Sequence, residues 1–62
     1  MSTYIIHFTN GETLTINSGL YIEGEFAERV LAGKYVLDCC DNLYRFNVDK
    51  VMFVSESEYI ED

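Results

Sequence analysis

The sequence predicts an α+β fold: an antiparallel curled sheet of about five strands with one short helix, in the order ββαβββ. Three observations carry this. Asn10 and Gly11 stand between two runs of alternating residues, the strongest short-range hairpin signal. A single segment, Gly24 to Ala32, places apolar residues at helical spacing and is followed by Gly33. Two further β-rich runs, "KYVLDCC" and "LYRFNV", are parted by Asp41 and Asn42, residue types that tolerate the backbone of a tight turn. A small SH3-like β-barrel is the alternative, because five short strands with a bend before the last would also close that way.

The hydrophobic pattern selects the register of the first hairpin, "TYIIHFTNGETLTIN". A two-residue Asn-Gly loop would set Ile6 against Thr15 and Ile5 against Ile16, scattering apolar residues over both faces. A three-residue loop, Thr9 to Gly11 with Gly11 left-handed as a bulge, sets Ile6 against Leu14 and Tyr4 against Ile16. Tyr4, Ile6, Phe8, Leu14 and Ile16 then share one face, with Ile5, His7, Thr13 and Thr15 on the other. A slip of one residue would invert both.

The helix is expected from Gly24 to Ala32, with Phe26 and Val30 four apart and Ala27 and Leu31 beside them. Gly33 suits the left-handed position past its end, and Lys34 lies near the negative pole. So short a helix is unstable alone and must pack on the sheet.

In the second hairpin a two-residue Asp41-Asn42 turn would pair Cys40 with Leu43, Cys39 with Tyr44, Asp38 with Arg45 and Leu37 with Phe46. Strand alternation would then bury Cys39 and leave Cys40 accessible. A last strand, "KVMFVSE", follows a bend at Asn47 to Lys50, and its consecutive apolar residues imply that both faces are covered. The chain divides into one α+β domain, residues 1–55, and an acidic tail, residues 56–62.

Eleven acidic residues against four basic give a net charge of −7, which disfavours direct contact with nucleic acid or an anionic membrane. No apolar run is long enough to span a bilayer, and the start "MSTYIIHFTN" lacks the basic and cleavage regions of a signal peptide. A cytoplasmic protein is expected, and two cysteines with no spaced framework suit a reducing compartment.

The candidate sites are weak as chemistry. Adjacent strand cysteines point apart, so neither a metal site nor a neighbour disulfide is expected at Cys39 and Cys40. His7 is the single histidine and has no acid or thiol near it in this register. Asp38 and Asp41 imitate an acid/base pair, but one faces Arg45 and the other lies in the turn. No glycine-rich phosphate loop is present. Neither catalysis nor a cofactor is expected.

Charge and apolar surface carry more. Glu23, Glu25, Glu28, Glu56 and Glu58, with Tyr59 in the tail, form the expected partner-binding surface for a basic protein. Val51, Met52, Phe53 and Val54 form the expected interface of a homo-dimer or higher homo-oligomer, because a chain of this size has a thin core and gains from association. In size and acidity the sequence resembles the small proteins with which phages and other mobile elements inhibit host enzymes. That likeness is compositional and carries over no residue. The expected function is a non-enzymatic, self-associating acidic module that engages a basic surface, as such an inhibitor or as a nucleic-acid mimic. The alternative is a structural subunit of a homo-oligomer with no foreign partner, its acidity serving solubility.

Overall fold

The computed structural model describes residues 1–58. The expected contribution of Tyr59, like the rest of residues 59–62, lies outside the described residues. The elements run β1 (Ser2–Phe8), β2 (Thr13–Ser18), α1 (Glu25–Leu31), β3 (Val36–Leu37), β4 (Leu43–Tyr44), a 3₁₀ turn (Val48–Lys50) and β5 (Val51–Glu58). The fold is α+β with no closed barrel. The strands form two sheets instead of one, a three-stranded antiparallel sheet in the order β2-β1-β5 and a two-residue ladder between β3 and β4.

The first hairpin has the bulged register, with Tyr4 opposite Ile16 and Ile6 opposite Leu14. Gly11 is left-handed at φ 89°, its N–H donates to Phe8 O at 3.0 Å, and Phe8 N–H donates to Glu12 O at 2.9 Å. Asn10 Oδ1 accepts from Glu12 N–H and ties the loop to the strand.

The ends of α1 are set by glycines. Gly24 caps the start at φ 84°. Past the end, Gly33 N–H donates to Val30 O and Lys34 N–H to Arg29 O, the paired bonds of a Schellman cap that a left-handed Gly33 makes possible. The helix turns Phe26 and Val30 inward and leaves Leu31 exposed.

These elements enclose one core of Tyr4, Ile6, Ile16, Phe26, Val30 and Val36. Tyr21 packs edge-on to both Tyr4 and Phe26, and its hydroxyl accepts from Leu37 N–H at 2.9 Å. Arg29 lies over the Tyr21 and Tyr35 rings and covers that side of the cluster.

The expected register of the second hairpin is corrected. The second hairpin pairs Leu37 with Leu43 and Val36 with Tyr44, so its loop is not the two-residue Asp41-Asn42 turn. Asp41 N–H donates to Asp38 O and Asp38 N–H to Asn42 O, repeating the bond pattern of the first hairpin, with Asp41 at φ 63° in the place of Gly11. The cause is the Asp38 side chain. Its carboxylate accepts from Cys40 N–H, Asn42 N–H, Asn42 Nδ2 and the Tyr44 hydroxyl, so it serves the loop and does not pair with Arg45.

β5 continues to Glu58, with Glu56 opposite Tyr4, Ser57 opposite Thr3 and Glu58 opposite Ser2. Because β1 already extends to Ser2, its backbone groups there need partners, and β5 supplies them.

Candidate functional site

The expected acidic surface divides in two. Glu23, in the exposed loop before α1, and Glu56, on β5, line a cleft of about 370 Å³ with Met1 and Ser2. Glu25 and Glu28, on the first turn of α1, line a second depression of about 300 Å³ together with Arg29, Ala32 and Lys34. Basic side chains therefore dilute the charge of the helix acids, whereas the Glu23–Glu56 cleft has no lysine or arginine in its lining but includes Met1, which carries the amino terminus. Helical spacing causes the difference, since Arg29 follows Glu25 by one turn.

The same Ser2 and Glu56 flank the Tyr4 hydroxyl. Tyr4 is only 1% exposed, and its hydroxyl oxygen is buried without a hydrogen-bond partner of full geometry among the described residues. Burial is the largest influence and raises its pKa above the ordinary tyrosine value; the Ser2 side chain comes next and lowers it, and Glu56, through its charge and its side chain, and then the charge of Glu25 raise it further. Ser2 and Glu56 thus stand within reach of the phenol, although neither meets it with full hydrogen-bond geometry. A buried hydroxyl left unpaired costs about 1–3 kcal/mol.

The four residues expected at an oligomer interface do not share a face. Val51 and Val54 pack against the core, whereas Met52 and Phe53 are 57% and 46% exposed. A bulge explains the split: Phe53 faces His7 but Val51 faces Phe8, so Met52 is an inserted residue that resets the alternation. Nor do the described residues cover both faces of β5. Phe53 lies on the outer side of the sheet, stacked on His7 with ring centroids 4.0 Å apart and planes 15° from parallel. His7 Nε2 stands 3.2 Å from Ser55 Oγ, so this imidazole belongs to a surface patch.

Among the described residues, the outer edge of β5 carries unpaired backbone. Phe8 directs its backbone bonds to β2, so alternation directs His7, Ile5 and Thr3 to β5, and Phe53, Ser55 and Ser57 answer them. Val54 and Glu56 therefore turn their N–H and C=O groups outward. At the opposite edge of the sheet, Cys39 N–H donates to Asn17 O at 2.9 Å and occupies part of β2.

Cys39 was expected to be buried with its thiol on the face opposite Cys40; both are exposed, and their sulfurs lie 3.8 Å apart. The alternation assumed for them does not apply, because β3 ends at Leu37 and both cysteines sit in the loop. Hydrogen bonding to Cys39 pushes the Cys40 thiol pKa up, and the charges of Asp38 and Asp41 act the same way.

Two features escaped the sequence reading. Tyr4 was read as a core residue, and its only signal was a tyrosine where phenylalanine would pack as well. The thiol pair was visible as adjacency but assigned to a strand. Comparison with protein-family models, curated proteins and solved structures finds no significant match to this chain. No helix among the described residues is long and apolar enough to cross a membrane.

Proposed function

We propose that this chain is a non-enzymatic acidic binding module of the cytoplasm that accepts a basic side chain of a partner protein in the Glu23–Glu56 cleft. The observation that carries the reading is the unpartnered Tyr4 hydroxyl flanked by Ser2 and Glu56. A lysine or arginine entering there brings the charge that two carboxylates attract and the donor that the phenol oxygen lacks. The test is an NMR titration with a short amidated arginine peptide, against a neutral peptide of equal length. Amide shifts confined to Ser2, Tyr4, Glu23 and Glu56, and lost in Glu23→Gln/Glu56→Gln, are expected. Shifts spread evenly over Glu12, Asp41 and Asp49 would reject the reading.

A second copy of the chain is the proposed occupant of the β5 edge. The strand begins after Lys50, is apolar at Met52 to Val54 and turns acidic at Glu56. Antiparallel self-pairing therefore brings the basic end of each copy against the acidic end of the other while Met52 and Phe53 lose solvent. Light scattering at micromolar concentration is expected to give a dimer that Lys50→Glu weakens and Lys50→Glu/Glu56→Lys recovers. A stable wild-type monomer of 7.2 kDa removes this part and leaves the cleft untouched.

A further inference from the structure

Cys39 and Cys40 occupy the two central positions of the second hairpin's turn, in which the Asp38 carbonyl accepts from Asp41 N–H. Side chains there do not alternate as they do along a strand, and the two exposed thiols meet in a direct sulfur–sulfur contact at 3.8 Å. The backbone is fixed where they stand: Cys39 N–H donates to Asn17 O on β2 at 2.9 Å, and Cys40 N–H to Asp38 Oδ1 at 2.8 Å. The chain has no other cysteine, so each thiol has only the other as an intramolecular partner.

We propose that Cys39 and Cys40 are an oxidation site for hydroperoxides, closing reversibly to a disulfide between neighbours at the tip of the hairpin. From their contact the sulfurs need to close by about 1.7 Å to reach the length of a disulfide bond. The charges of Asp38 and Asp41 surround the pair, so a small uncharged oxidant approaches more readily than an anionic one. Adjacent Cα atoms lie about 3.8 Å apart, short of the roughly 4.4 Å at which ordinary disulfides begin, so the closed ring is strained and easily reduced. Strained, exposed disulfides are the transient, sensing kind that a reducing compartment permits.

The Cys39 sulfur attacks a peroxide oxygen as its thiolate, the proton having gone to solvent. A sulfur–oxygen bond forms, the oxygen–oxygen bond breaks, and the departing oxyanion takes a proton back. The Cys40 sulfur then attacks the Cys39 sulfur; the sulfur–sulfur bond forms, the sulfur–oxygen bond breaks, and the leaving hydroxide takes the Cys40 proton as water. The two cysteines lose two electrons and the peroxide gains them. Cys40 acts second, because its hydrogen bond to Cys39 and the Asp38 and Asp41 charges push its pKa up and hold its proton in place. Ring closure twists the peptide between the cysteines, so the Cys40 N–H bond to Asp38 Oδ1 reports it. The site shares no residue with the Glu23–Glu56 cleft or the β5 edge and rests on neither.

The test treats the reduced protein with hydrogen peroxide, blocks the remaining thiols with an alkylating reagent and reads the mass. A monomer lighter by two hydrogen atoms, with no thiol left to alkylate and fully restored by dithiothreitol, is expected. The Cys39 and Cys40 amide signals should move on oxidation and return on reduction. The native chain should close about 10-fold faster than the urea-unfolded one, which keeps the adjacency of the cysteines but loses their turn. Cys39→Ser and Cys40→Ser, which change exposed side chains, should each remove the ring and yield linked dimers or a sulfinic acid instead. In a glutathione buffer the wild-type ring should open at a thiol-to-disulfide ratio that leaves structural disulfides closed. Linked dimers or sulfinic acids as the main wild-type products, closure no faster in the native chain than in the unfolded one, or a ring that glutathione does not open would overturn the proposal.

Discussion

Tyr4 and Phe26 lie face to face, with ring centroids 3.9 Å apart and planes 8° from parallel. This stack joins the central strand of the larger sheet to the helix, and both rings are buried. A helix of seven residues has little stability of its own, so its place depends on what Phe26 buries.

Phe26→Ala should therefore cost about 3–5 kcal/mol, comparable to the whole stability of a domain this small. Loss of the cooperative urea transition, monitored by circular dichroism, is the expected result. Phe26→Leu, which keeps most of the volume, should retain a transition at lower urea. A cooperative Phe26→Ala variant of near wild-type stability would show that the stack is not what fixes the helix.

The Tyr4 hydroxyl gives a prediction of opposite sign. Tyr4→Phe keeps the ring on Phe26 and removes a buried oxygen that has no partner of full geometry among the described residues. The variant should be more stable by about 1 kcal/mol, read as a higher urea midpoint with unchanged slope. It should also bind the arginine peptide less well, a trade that a residue kept only for packing would not make. Destabilisation would mean that the hydroxyl has a partner in solution.

Asp38 should make the second hairpin sensitive to acid. The Asn42 side chain, then the backbone N–H groups of Asn42 and Cys40 and the Tyr44 hydroxyl, hold its carboxyl pKa at about 2, below the ordinary 3.8. A carboxyl depressed in the folded state adds stability above its unfolded pKa, and that contribution is lost as pH falls from 3.8 through about 2. The Leu37, Leu43 and Tyr44 amide signals should show this loss across that window. Asp38→Asn should flatten it. Identical acid profiles in the two proteins would reject the role assigned to the carboxylate.

Two left-handed glycines should differ in cost. A methyl group at Gly11, φ 89°, meets nothing within 4 Å, so Gly11→Ala carries the backbone penalty alone, about 1–2 kcal/mol. At Gly33, φ 76°, it would also press on Val48 Cγ2 at 3.3 Å. Gly33→Ala should therefore have the lower melting temperature, and the reverse order would show that the Val48 side chain gives way freely.

The local features were the legible ones. Asn10-Gly11 and strict alternation determine the first hairpin, and Gly33 with its neighbours determines the helix end, because these depend on residues within a few positions of each other. The second loop was misread because Asp41 takes the left-handed position that glycine usually fills, and only the Asp38 carboxylate, reaching Asn42 and Tyr44, makes that arrangement the favourable one. Two acids in "LDCCDN" look equivalent in sequence and have unrelated tasks in space. The pairing of β1 with β5, the bulge at Met52 and the meeting of Glu23 with Glu56 depend on long-range packing, which no nearby residue encodes.

The strand order β2-β1-β5 has a kinetic consequence. The central strand meets one neighbour immediately, through the hairpin, but its partners on the other side lie 43 to 56 residues later in the chain. At ordinary synthesis rates of about 5–20 residues per second, the "STYIIHF" strand emerges several seconds before β5 can cover it. A nascent chain therefore carries an apolar, β-prone segment with one open edge throughout most of its own translation. Crowded synthesis, rather than heat, is the condition under which this fold is most exposed to aggregation.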